Sequence, residues 1–326
     1  MNTLLIIGCG SIGARHARNA ISLGLSVVLV DPDVNRAHAL ADEIGATGVF
    51  ASYEETASAS IDAVVVASPS SFHIEAVRFF LERSIPVFIE KPLATSVEGL
   101  EGLVDLAKEN GVVTMMGQSY RFHETFMALK TFLDEGAVGR IYHAQFFGGQ
   151  YLPDWHPQVD YRTEYMAQKR QGGGVMLTSK SHTLDFIEWF FGPIKEYVGW
   201  KDQLGSLTLD VDDACFLLMK TERDIVAYAQ FDFLERPHRS RAIIAGEAGT
   251  IDADFIADTI TVTRADGTAQ THSYNPDPNA RYVEELRYFA TLVEKGESDP
   301  TLDIAHGKHI VDLMLDPRVR DLTHGA

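Results

Sequence analysis

Short apolar runs rich in Val and Ile alternate with stretches of helical spacing through the first third of the chain. The apolar runs predict strands at 4–7, 27–30, 63–67, 87–89 and 112–116. The stretches between them predict helices at 12–23, 37–44, 72–83 and 96–110. This alternation is typical of βαβ units that build a buried parallel sheet, so an α/β Rossmann domain is expected.

The pattern changes after about Gly117, where extended segments begin to follow one another. Helices are predicted at 124–135, 175–191, 281–294 and 304–315. Strands are predicted at 141–151, 195–201, 214–220, 225–233, 241–245 and 259–263. Strands that succeed strands indicate an α+β domain with a large open, mainly antiparallel sheet. We therefore expect a Rossmann domain over 1–119, a substrate-binding and oligomerisation domain over 120–326, and a site between them.

Composition excludes several classes of protein. The chain has 28 Lys plus Arg against 46 Asp plus Glu, and this net charge of -18 argues against a nucleic-acid partner. Its two cysteines, Cys9 and Cys215, match neither a disulfide framework nor a zinc cluster, and no metal is predicted. No apolar run is long enough for a signal segment or a membrane span. A cytoplasmic protein that does not cross a membrane is expected.

A glycine-rich turn follows the first predicted strand. Gly8, Gly10 and Gly13 fit the pattern G-x-G-x-x-G at the opening of a helix. The first glycine permits the tight turn, the second lets the main chain approach a pyrophosphate, and the third lets helix and strand pack closely. Ser11 and Ile12 lie where helix N–H groups face the anion. All five residues are predicted to bind a dinucleotide.

Asp31 ends the second predicted strand, roughly twenty residues beyond the glycine turn, where a carboxylate accepts hydrogen bonds from the adenosine ribose. A 2′-phosphate would be repelled there, which favours NAD over NADP. Because of Arg36, NADP is not excluded as the cofactor. The structural alternative is that Asp31 only caps a turn before Pro32.

Lys91 is placed at the carboxyl edge of the parallel sheet, because Glu90-Lys91-Pro92 follows the apolar run 87–89. Ligands of open α/β sheets gather at that edge. A lysine after a strand, taken alone, is more often a surface residue. The segment Ser68–His73 ends the preceding strand in the same way, which favours a site.

Five motifs, in this order, resemble the Gfo/Idh/MocA family of sugar and inositol dehydrogenases over nearly the full length. They are the glycine turn, Ser68–His73, Glu90-Lys91-Pro92, Tyr120-Arg121-Phe122, and Gly172-Gly173-Gly174 followed by His182 and Asp185. The resemblance implies that Lys91 and His182 are catalytic. It also implies a cofactor site that includes Ser68, Pro69, His73, Glu90 and Lys91. The predicted substrate-binding residues are Lys91, Tyr120, Arg121, Trp155, Arg162, Thr178, Lys180 and His182.

The implied reaction needs these residue types. Oxidation of a secondary alcohol transfers hydride to nicotinamide while a base removes the hydroxyl proton. We assign the base to His182, whose unperturbed pKa near 6.5 suits exchange near neutrality. Lys91 would donate a hydrogen bond to the same oxygen and stabilise alkoxide charge. Which of the two is the formal base is left open by the sequence.

Two positions depart from the family's common pattern. Thr178 stands where family members often carry an aspartate, four residues before His182, so the usual carboxylate support is missing. Asp185 could orient the His182 ring or serve as a cap or buried partner. Lys180 stands where small residues are common. It would contact an anionic substrate if its helix flank borders 154–162, or be an ordinary lysine if that flank faces solvent.

The segment 150–162 is dense in aromatic, carboxylate and guanidinium groups of the kind that hold carbohydrates, although it also fits an ordinary loop with a packed Trp155. It resembles members linked to bacterial cell-surface sugars, including acidic ones. Cationic side chains that could neutralise an acidic substrate are Arg162, Lys169, Arg170 and Lys180.

The function predicted from all these features is hydride transfer between a sugar, possibly acidic or nucleotide-linked, and NAD. One alternative is an NAD(P)-binding regulator without turnover, to which Thr178 gives some weight although the presence of both Lys91 and His182 argues for an enzyme. The other is a sugar–sugar oxidoreductase with tightly bound cofactor. The open sheet should leave an apolar face to cover, so a homodimer or homotetramer is expected.

Overall fold

The computed structural model describes residues 1–100 and 102–322, and the chain forms two compact units. The first unit comprises Met1–Ser119 and Asn279–Asp312, and the second comprises Tyr120–Pro278 and the segment that begins at Leu313. The predicted division instead kept 279–312 with the second part, and its last residues, 323–326, lie outside the described residues. Which part carries which function stays a prediction.

Strands and helices are numbered here in chain order. The strands are β1 (Thr3–Ile7), β2 (Ser26–Val30), β3 (Gly48–Phe50), β4 (Ala63–Val66), β5 (Val87–Glu90), β6 (Thr114–Gly117), β7 (Ile141–Gly149), β8 (Ile194–Asp202), β9 (Ala214–Thr221), β10 (Val226–Asp232), β11 (Arg239–Gly246), β12 (Gly249–Asp254), β13 (Thr259–Arg264), β14 (Ala269–Ser273) and β15 (Val319–Asp321). The α-helices are α1 (Ser11–Ser22), α2 (Val34–Ile44), α3 (His73–Leu81), α4 (Leu103–Glu109), α5 (Glu124–Asp134), α6 (Val175–Thr178), α7 (Lys180–Phe191), α8 (Ala280–Lys295) and α9 (Ile304–Leu315). Short 3-10 helices lie at Tyr53–Ser58, Ser70–Phe72, Ser119–Phe122, Leu152–Asp154, Tyr161–Thr163, Tyr165–Ala167 and Lys169–Gln171. Within the described ranges, every helix is too short or too polar to cross a bilayer.

The first unit is built on a parallel sheet with the strand order β3-β2-β1-β4-β5-β6. Strands β4, β5 and β6 are buried at every position, because helices pack on the sheet and leave no face to water. This burial explains the unbroken apolar runs in the sequence. The strand order is that of a dinucleotide-binding fold, in which ligands lie beyond the carboxyl ends of the strands. The predicted Rossmann fold is confirmed.

The second unit contains a mixed, mostly antiparallel sheet with the order β14-β13-β12-β11-β7-β10-β9-β8-β15. Two of its pairings are parallel, β7 with β10 and β8 with β15. The predicted open, mainly antiparallel sheet is confirmed.

The two faces of this sheet differ in burial because side chains alternate along each strand. Helix α7 packs on β9 and β10, where Cys215, Leu217 and Ala229 are buried. The opposite face exposes large apolar side chains from neighbouring strands. They are Val198, Trp200, Leu218, Val226 and Tyr228, and we call this set the open sheet face.

Two predicted helices differ from the structure. The helix predicted over 96–110 begins only at Leu103, since Gly99 and Gly102 both adopt positive φ; residue 101 lies outside the described residues. The helix predicted over 175–191 is interrupted at Ser179, which separates α6 from α7. Four short strands were not predicted, namely β3, β12, β14 and β15.

Candidate active site

The glycine turn follows β1 and has the close contacts that its pattern predicts. Gly8 adopts φ +91°, and an added Cβ there would lie 2.8 Å from the Ala67 carbonyl oxygen. A Cβ on Gly13 would lie 1.8 Å from the Gly8 carbonyl oxygen, so helix and strand could not pack as they do. A Cβ on Gly10 would meet nothing within 4 Å. Gly8 and Gly13 are therefore required by packing, whereas Gly10 leaves its main chain open to a ligand.

Helix α1 begins beside this turn with an uncompensated N-terminus. Its N-cap, Gly10, makes no side-chain capping bond, and its first turn carries no acidic residue. A cavity of about 620 Å³ adjoins the turn. Its lining residues are Cys9, Gly10, Ser11, Ala14, Arg15, Arg18, Asn19, Arg36 and Asn279. Unpaired helix N–H groups and arginines make this cavity suited to an anionic ligand. Arg15, Asn19 and Asn279 were not predicted, because no local motif marks them.

Asp31 lies at the end of β2, and its carboxylate is held by the main chain. It accepts hydrogen bonds from the N–H of Cys9 at 2.7 Å and of Asp33 at 2.8 Å. Arg36 lies 3.5 Å from the same carboxylate, which is nearly buried. Burial, followed by the negative charge of Asp31, raises the pKa of the Cys9 thiol to about 12. Asp31 is thus a fixed negative charge against the glycine turn, with Arg36 as its partial counter-charge.

Three adjacent strands bring the remaining cofactor-side residues to one edge of the sheet. Ile7 of β1 pairs with Val66 of β4, and Val66 pairs with Ile89 of β5. The glycine turn, the segment beginning Ser68-Pro69, and Glu90-Lys91 therefore leave the sheet side by side. Lys91 is half-buried at this edge.

Glu90 is buried and faces the interior of the first unit. Its carboxylate lies 2.7 Å from Nε2 of His16 on α1 and accepts a 3.3 Å hydrogen bond from the Lys91 N–H. Burial acts to raise the pKa of Glu90, but the hydrogen bond and charge of His16, together with the charge of Lys91, hold it below its usual range. Glu285 on α8 is also fully buried and lies within 4.8 Å of this pair. Glu90 therefore anchors the turn that carries Lys91.

His73 begins α3 and is fully buried. Its Nε2 lies 2.8 Å from the Ser68 carbonyl oxygen and its Nδ1 lies 3.1 Å from the Pro92 carbonyl oxygen. The ring thus contacts the main chain of two segments predicted to bind the cofactor.

In the second unit, the glycine run provides a close approach to a buried carboxylate. A Cβ on Gly174, which adopts φ +96°, would lie 2.5 Å from Oδ1 of Asp212. The other carboxylate oxygen of Asp212 accepts a 2.8 Å hydrogen bond from the Met176 N–H, in the first turn of α6. Burial raises the pKa of Asp212 above its ordinary value. Asp212 was not predicted, and it fixes the start of the segment that leads to His182.

Thr178 and Lys180 lie on either side of the helix break at Ser179. The Thr178 hydroxyl donates a 2.7 Å hydrogen bond to the Gly174 carbonyl oxygen. Lys180 is fully buried, and its Nζ has no hydrogen-bond partner among the described residues. Burial lowers the pKa of Lys180 to about 8, although Cys215 and Asp232 act in the opposite direction. The alternative in which Lys180 faces solvent is therefore wrong.

His182 is half-buried on α7, and the Tyr120 ring packs edge-on against its imidazole. The ring centroids are 4.9 Å apart, with planes at 86°. An aromatic edge of this kind restricts the orientation of the imidazole. Tyr120 and His182, both predicted from the resemblance, therefore lie together.

Arg121 and Asp185 form a buried ion pair beside this contact. The guanidinium donates hydrogen bonds from Nε at 2.9 Å and from Nη2 at 2.7 Å to the two carboxylate oxygens. Asp185 is therefore a buried partner of Arg121, which is one of the roles predicted for it.

The segment 150–162 holds its predicted side chains differently. The Trp155 ring packs edge-on against Phe233 at 5.5 Å, and its Nε1 donates a hydrogen bond to the Gln150 carbonyl oxygen. Arg162 is exposed, and its guanidinium binds the Asp160 carboxylate. Trp155 is therefore a packed residue with a fixed orientation, and the charge of Arg162 is largely compensated.

Family models match both parts of the chain. Residues 3–118 match the oxidoreductase family with an NAD-binding Rossmann fold, and residues 126–252 match the GFO/IDH/MocA C-terminal domain. The chain belongs to the Gfo/Idh/MocA family. The predicted resemblance is confirmed, and so is the prediction of an NAD-binding oxidoreductase.

Curated relatives of this Gfo/Idh/MocA protein include inositol dehydrogenases. The scyllo-inositol 2-dehydrogenase (NAD(+)) of Bacillus subtilis is 27% identical over 92% of this chain and 88% of its own length. The myo-inositol dehydrogenase Hyg17 of Streptomyces leeuwenhoekii is 31% identical over 58% of this chain, and the match spans only 56% of that relative. Levoglucosan dehydrogenase, solved with NADH and L-sorbose, superimposes with a TM-score of 0.86 over 96% of this chain and 95% of its own, at 18% identity. This last similarity supports the fold.

Proposed function

We propose that this protein is an NAD-dependent dehydrogenase that oxidises a secondary alcohol of a sugar or polyol. The observation that carries the proposal is the position of Lys91. It leaves β5 at the sheet edge where the glycine turn leaves β1, with only β4 between them. A cationic donor beside a dinucleotide turn is suited to a carbinol oxygen next to the nicotinamide.

The first unit fits NAD on three counts. Gly10 has open space where a Cβ would be, α1 presents an uncapped N-terminus, and Asp31 is fixed at the end of β2. In the proposed site, the main chain of Ser11, Ile12, Ser68 and Pro69 would hold the cofactor. The buried side chains of His73 and Glu90 would position the segments that carry Ser68 and Lys91. When bound, NAD supplies the hydride acceptor.

The chain's own residues would handle the proton. We assign proton removal from the substrate hydroxyl to His182, whose ring is held by Tyr120. Lys91 would hydrogen-bond the same oxygen and stabilise its developing charge. Thr178 stands in place of an aspartate and carries no charge, so this position gives Lys91 and His182 no carboxylate support.

A neutral polyol is the substrate class that we favour, and the inositol dehydrogenases among the relatives support it. An acidic or nucleotide-linked sugar is the second candidate. It receives less support because Arg162 already binds Asp160 and the Lys180 amine is buried. Tyr120, Arg121 and Trp155 complete the proposed substrate-binding set with Thr178, Lys180, Arg162 and the two catalytic residues.

The test is NADH formation by the purified protein with inositols, neutral sugars, uronic acids and nucleotide sugars. Lys91→Met should lower kcat by about two to four orders of magnitude while NAD affinity survives. Lys108→Met, which replaces an exposed lysine on α4, is the matched control and should leave kcat unchanged.

Three outcomes would overturn this function. Near-normal turnover by Lys91→Met would show that the family role does not apply here. NAD binding without turnover of any polyol would favour the regulator. Nicotinamide absorbance that stays with the protein through purification would favour a sugar–sugar oxidoreductase.

We also propose that the open sheet face joins two copies of this chain in a homodimer or homotetramer. Val198, Trp200 and Leu218 are each about half exposed there, and apolar faces of this kind usually meet a partner. Val198→Glu should shift the light-scattering mass to that of a monomer. The control is Val97→Glu, an equally exposed valine in the first unit. A monomeric wild type at micromolar concentration would contradict the proposal.

The proposed location is the cytoplasm. Cys9 and Cys215 are both buried free thiols, which fits a reducing compartment.

A further inference from the structure

The fully buried His73 ring lies between two acceptors. Its two nitrogens lie within hydrogen-bond distance of the Ser68 and Pro92 carbonyl oxygens. A carbonyl oxygen can only accept a hydrogen bond, and a neutral imidazole carries only one N–H. The neutral ring can therefore satisfy one of these carbonyls, and it presents a lone pair to the other. Only the protonated ring can donate to both.

The two carbonyls belong to segments that the proposed reaction depends on. Ser68 follows β4 at the cofactor edge of the sheet, and Pro92 directly follows Lys91. With both bonds made, His73 ties the main chain of these two segments together. With one bond made, the Lys91–Pro92 turn loses one of its attachments, and the bond from Lys91 N–H to Glu90 remains.

The distances indicate which bond persists in the neutral ring. The contact from Nε2 to Ser68 measures 2.8 Å, against 3.1 Å from Nδ1 to Pro92. The shorter contact keeps the proton, so the neutral ring is the Nε2–H tautomer and the Pro92 bond is the one that depends on protonation.

The groups around the His73 ring have opposing effects on its pKa. Burial lowers the pKa of His73, whereas the Ser68 carbonyl, the Glu90 charge and the main chain of Pro92 and Leu93 act to raise it, and the net pKa lies below its usual value. Among the described residues, Glu90 on β5 is the charged group whose field acts on the ring, and Glu90 itself contacts His16 on α1 and lies near Glu285 on α8.

We propose that His73 is a positioning residue for Lys91, and that proton uptake on Nδ1 completes the link between the Ser68 segment and the Lys91–Pro92 turn. This inference rests on the proposed function only in the part that concerns turnover. At neutral pH the ring holds Ser68 alone, and as the pH falls below the ordinary histidine range the second bond forms.

Two amide variants separate the two bonds. The Gln amide nitrogen lies as many bonds from Cβ as imidazole Nε2, and the Asn amide nitrogen as many as Nδ1. His73→Gln therefore keeps a permanent donor for Ser68, and His73→Asn a permanent donor for Pro92. Val77→Ala, at a fully buried and uncharged position on the same helix, is the control for a general effect on packing.

The first measurement does not depend on turnover. A ¹⁵N titration of the histidines in the apo protein should show His73 as the neutral Nε2–H tautomer near about pH 7.5, with protonation below about pH 6.5. A neutral Nδ1–H tautomer would overturn the assignment of the bonds. If the ring stays neutral down to the lowest pH at which the protein remains folded, the proton-dependent link is overturned.

The second measurement is the ratio of kcat for wild type to kcat for His73→Gln as a function of pH. The ratio should lie near one at about pH 7.5 and rise about three- to tenfold on acidification, the effect of one hydrogen bond. Protonation of His182 affects both proteins and cancels in the ratio. His73→Asn should lower kcat at neutral pH, and the wild-type to Val77→Ala ratio should be independent of pH.

A purely structural His73 would give a ratio that does not change with pH, and that result would overturn the proposal. If no polyol is turned over, the proposed function fails, and the ¹⁵N titration together with NAD affinity in the same variants still decides the state of His73.

Discussion

Arg121 and Asp185 form a two-bond ion pair within the second unit, at 2.9 and 2.7 Å, and both side chains are almost fully buried. Removing one partner leaves the other as a buried charge, which costs much more than loss of the pair itself. Arg121→Met should therefore lower the free energy of unfolding by about 3–5 kcal/mol.

The double variant Arg121→Met/Asp185→Leu should recover much of that loss, because no charge is left buried. Denaturant unfolding of the wild type, both single variants and the double variant forms the cycle. The exposed pair Arg18–Glu43 is the control, since Arg18→Met should change stability little. Additive effects of the two buried substitutions would contradict this account.

Substitutions at Gly10 and Gly13 should distinguish a glycine that cofactor binding requires from a glycine that folding requires. Gly10 has a φ of -72° and space for a Cβ, so Gly10→Ala should leave the stability of the apo protein within about 0.5 kcal/mol of wild type. Its Cβ would occupy the open side of the turn, so the increase in melting temperature produced by NAD should shrink.

Gly13→Ala should behave in the opposite way, because its Cβ would lie 1.8 Å from the Gly8 carbonyl oxygen. The apo protein itself should lose several kcal/mol, about the cost of overpacking. Equal NAD-dependent stabilisation of wild type and Gly10→Ala would show that the cofactor does not approach this side of the turn.

Asp31 should determine the preference between NAD and NADP. Two main-chain N–H groups hold its carboxylate in place, and Asp31→Asn removes the charge that would repel a 2′-phosphate. The ratio of kcat/KM for NAD to that for NADP should fall by about ten- to a hundredfold, the effect of one charged hydrogen bond.

Asp33→Asn is the control for this ratio, because Asp33 also pairs with Arg36 and its side chain is about half exposed. It should leave the preference unchanged. A wild-type enzyme with the higher kcat/KM for NADP would contradict the role of Asp31.

The parts of the fold and site that could be predicted are those with a local sequence signal. The buried strands β1, β4 and β5 appear as apolar runs, and the glycine turn places two glycines in close main-chain contact, Gly8 and Gly13, within a few residues of each other. Lys91 could be placed because the end of an apolar run marks the edge of a parallel sheet. Short or polar strands such as β12 and β14 lack that signal.

The parts that could not be predicted depend on residues far apart in sequence. Asp212 caps α6 across 36 residues, and the Arg121–Asp185 pair spans 64. The local sequence around one residue of each pair does not indicate its partner. Lys180 was expected on a helix flank that borders either the segment 154–162 or solvent, since lysine side chains normally keep their charge in contact with polar surroundings. Only the packing of α7 on the sheet shows that its amine is buried.

Lys180 should destabilise the fold in a pH-dependent way. Its pKa is lowered from 10.5 to about 8, chiefly by burial, a difference that corresponds to about 3 kcal/mol. Above about pH 10.5 the amine is neutral in both the folded and the unfolded chain, so there is no penalty. As the pH falls towards about 8, the unfolded chain takes up a proton that the folded chain does not, and stability is lost.

Lys180→Met removes this penalty and keeps most of the side-chain volume. It should raise the free energy of unfolding by up to about 3 kcal/mol near neutral pH, and the gain should decline as the pH rises from about 8 to about 10.5. The control is Lys220→Met on β9, whose lysine side chain is 41% exposed and which should show no such decline.

Urea unfolding of the three proteins across this range measures the difference. A gain that is the same at every pH would mean that Lys180 contributes through packing alone, and no gain at all would mean that its amine is solvated in the folded protein. The same variant assayed on a neutral sugar and its acidic counterpart should change kcat/KM for both equally, because the Lys180 amine, at the start of α7, is fully buried and is not exposed to a substrate carboxylate. A selective loss on the acidic sugar would instead restore the acidic substrate as the first candidate.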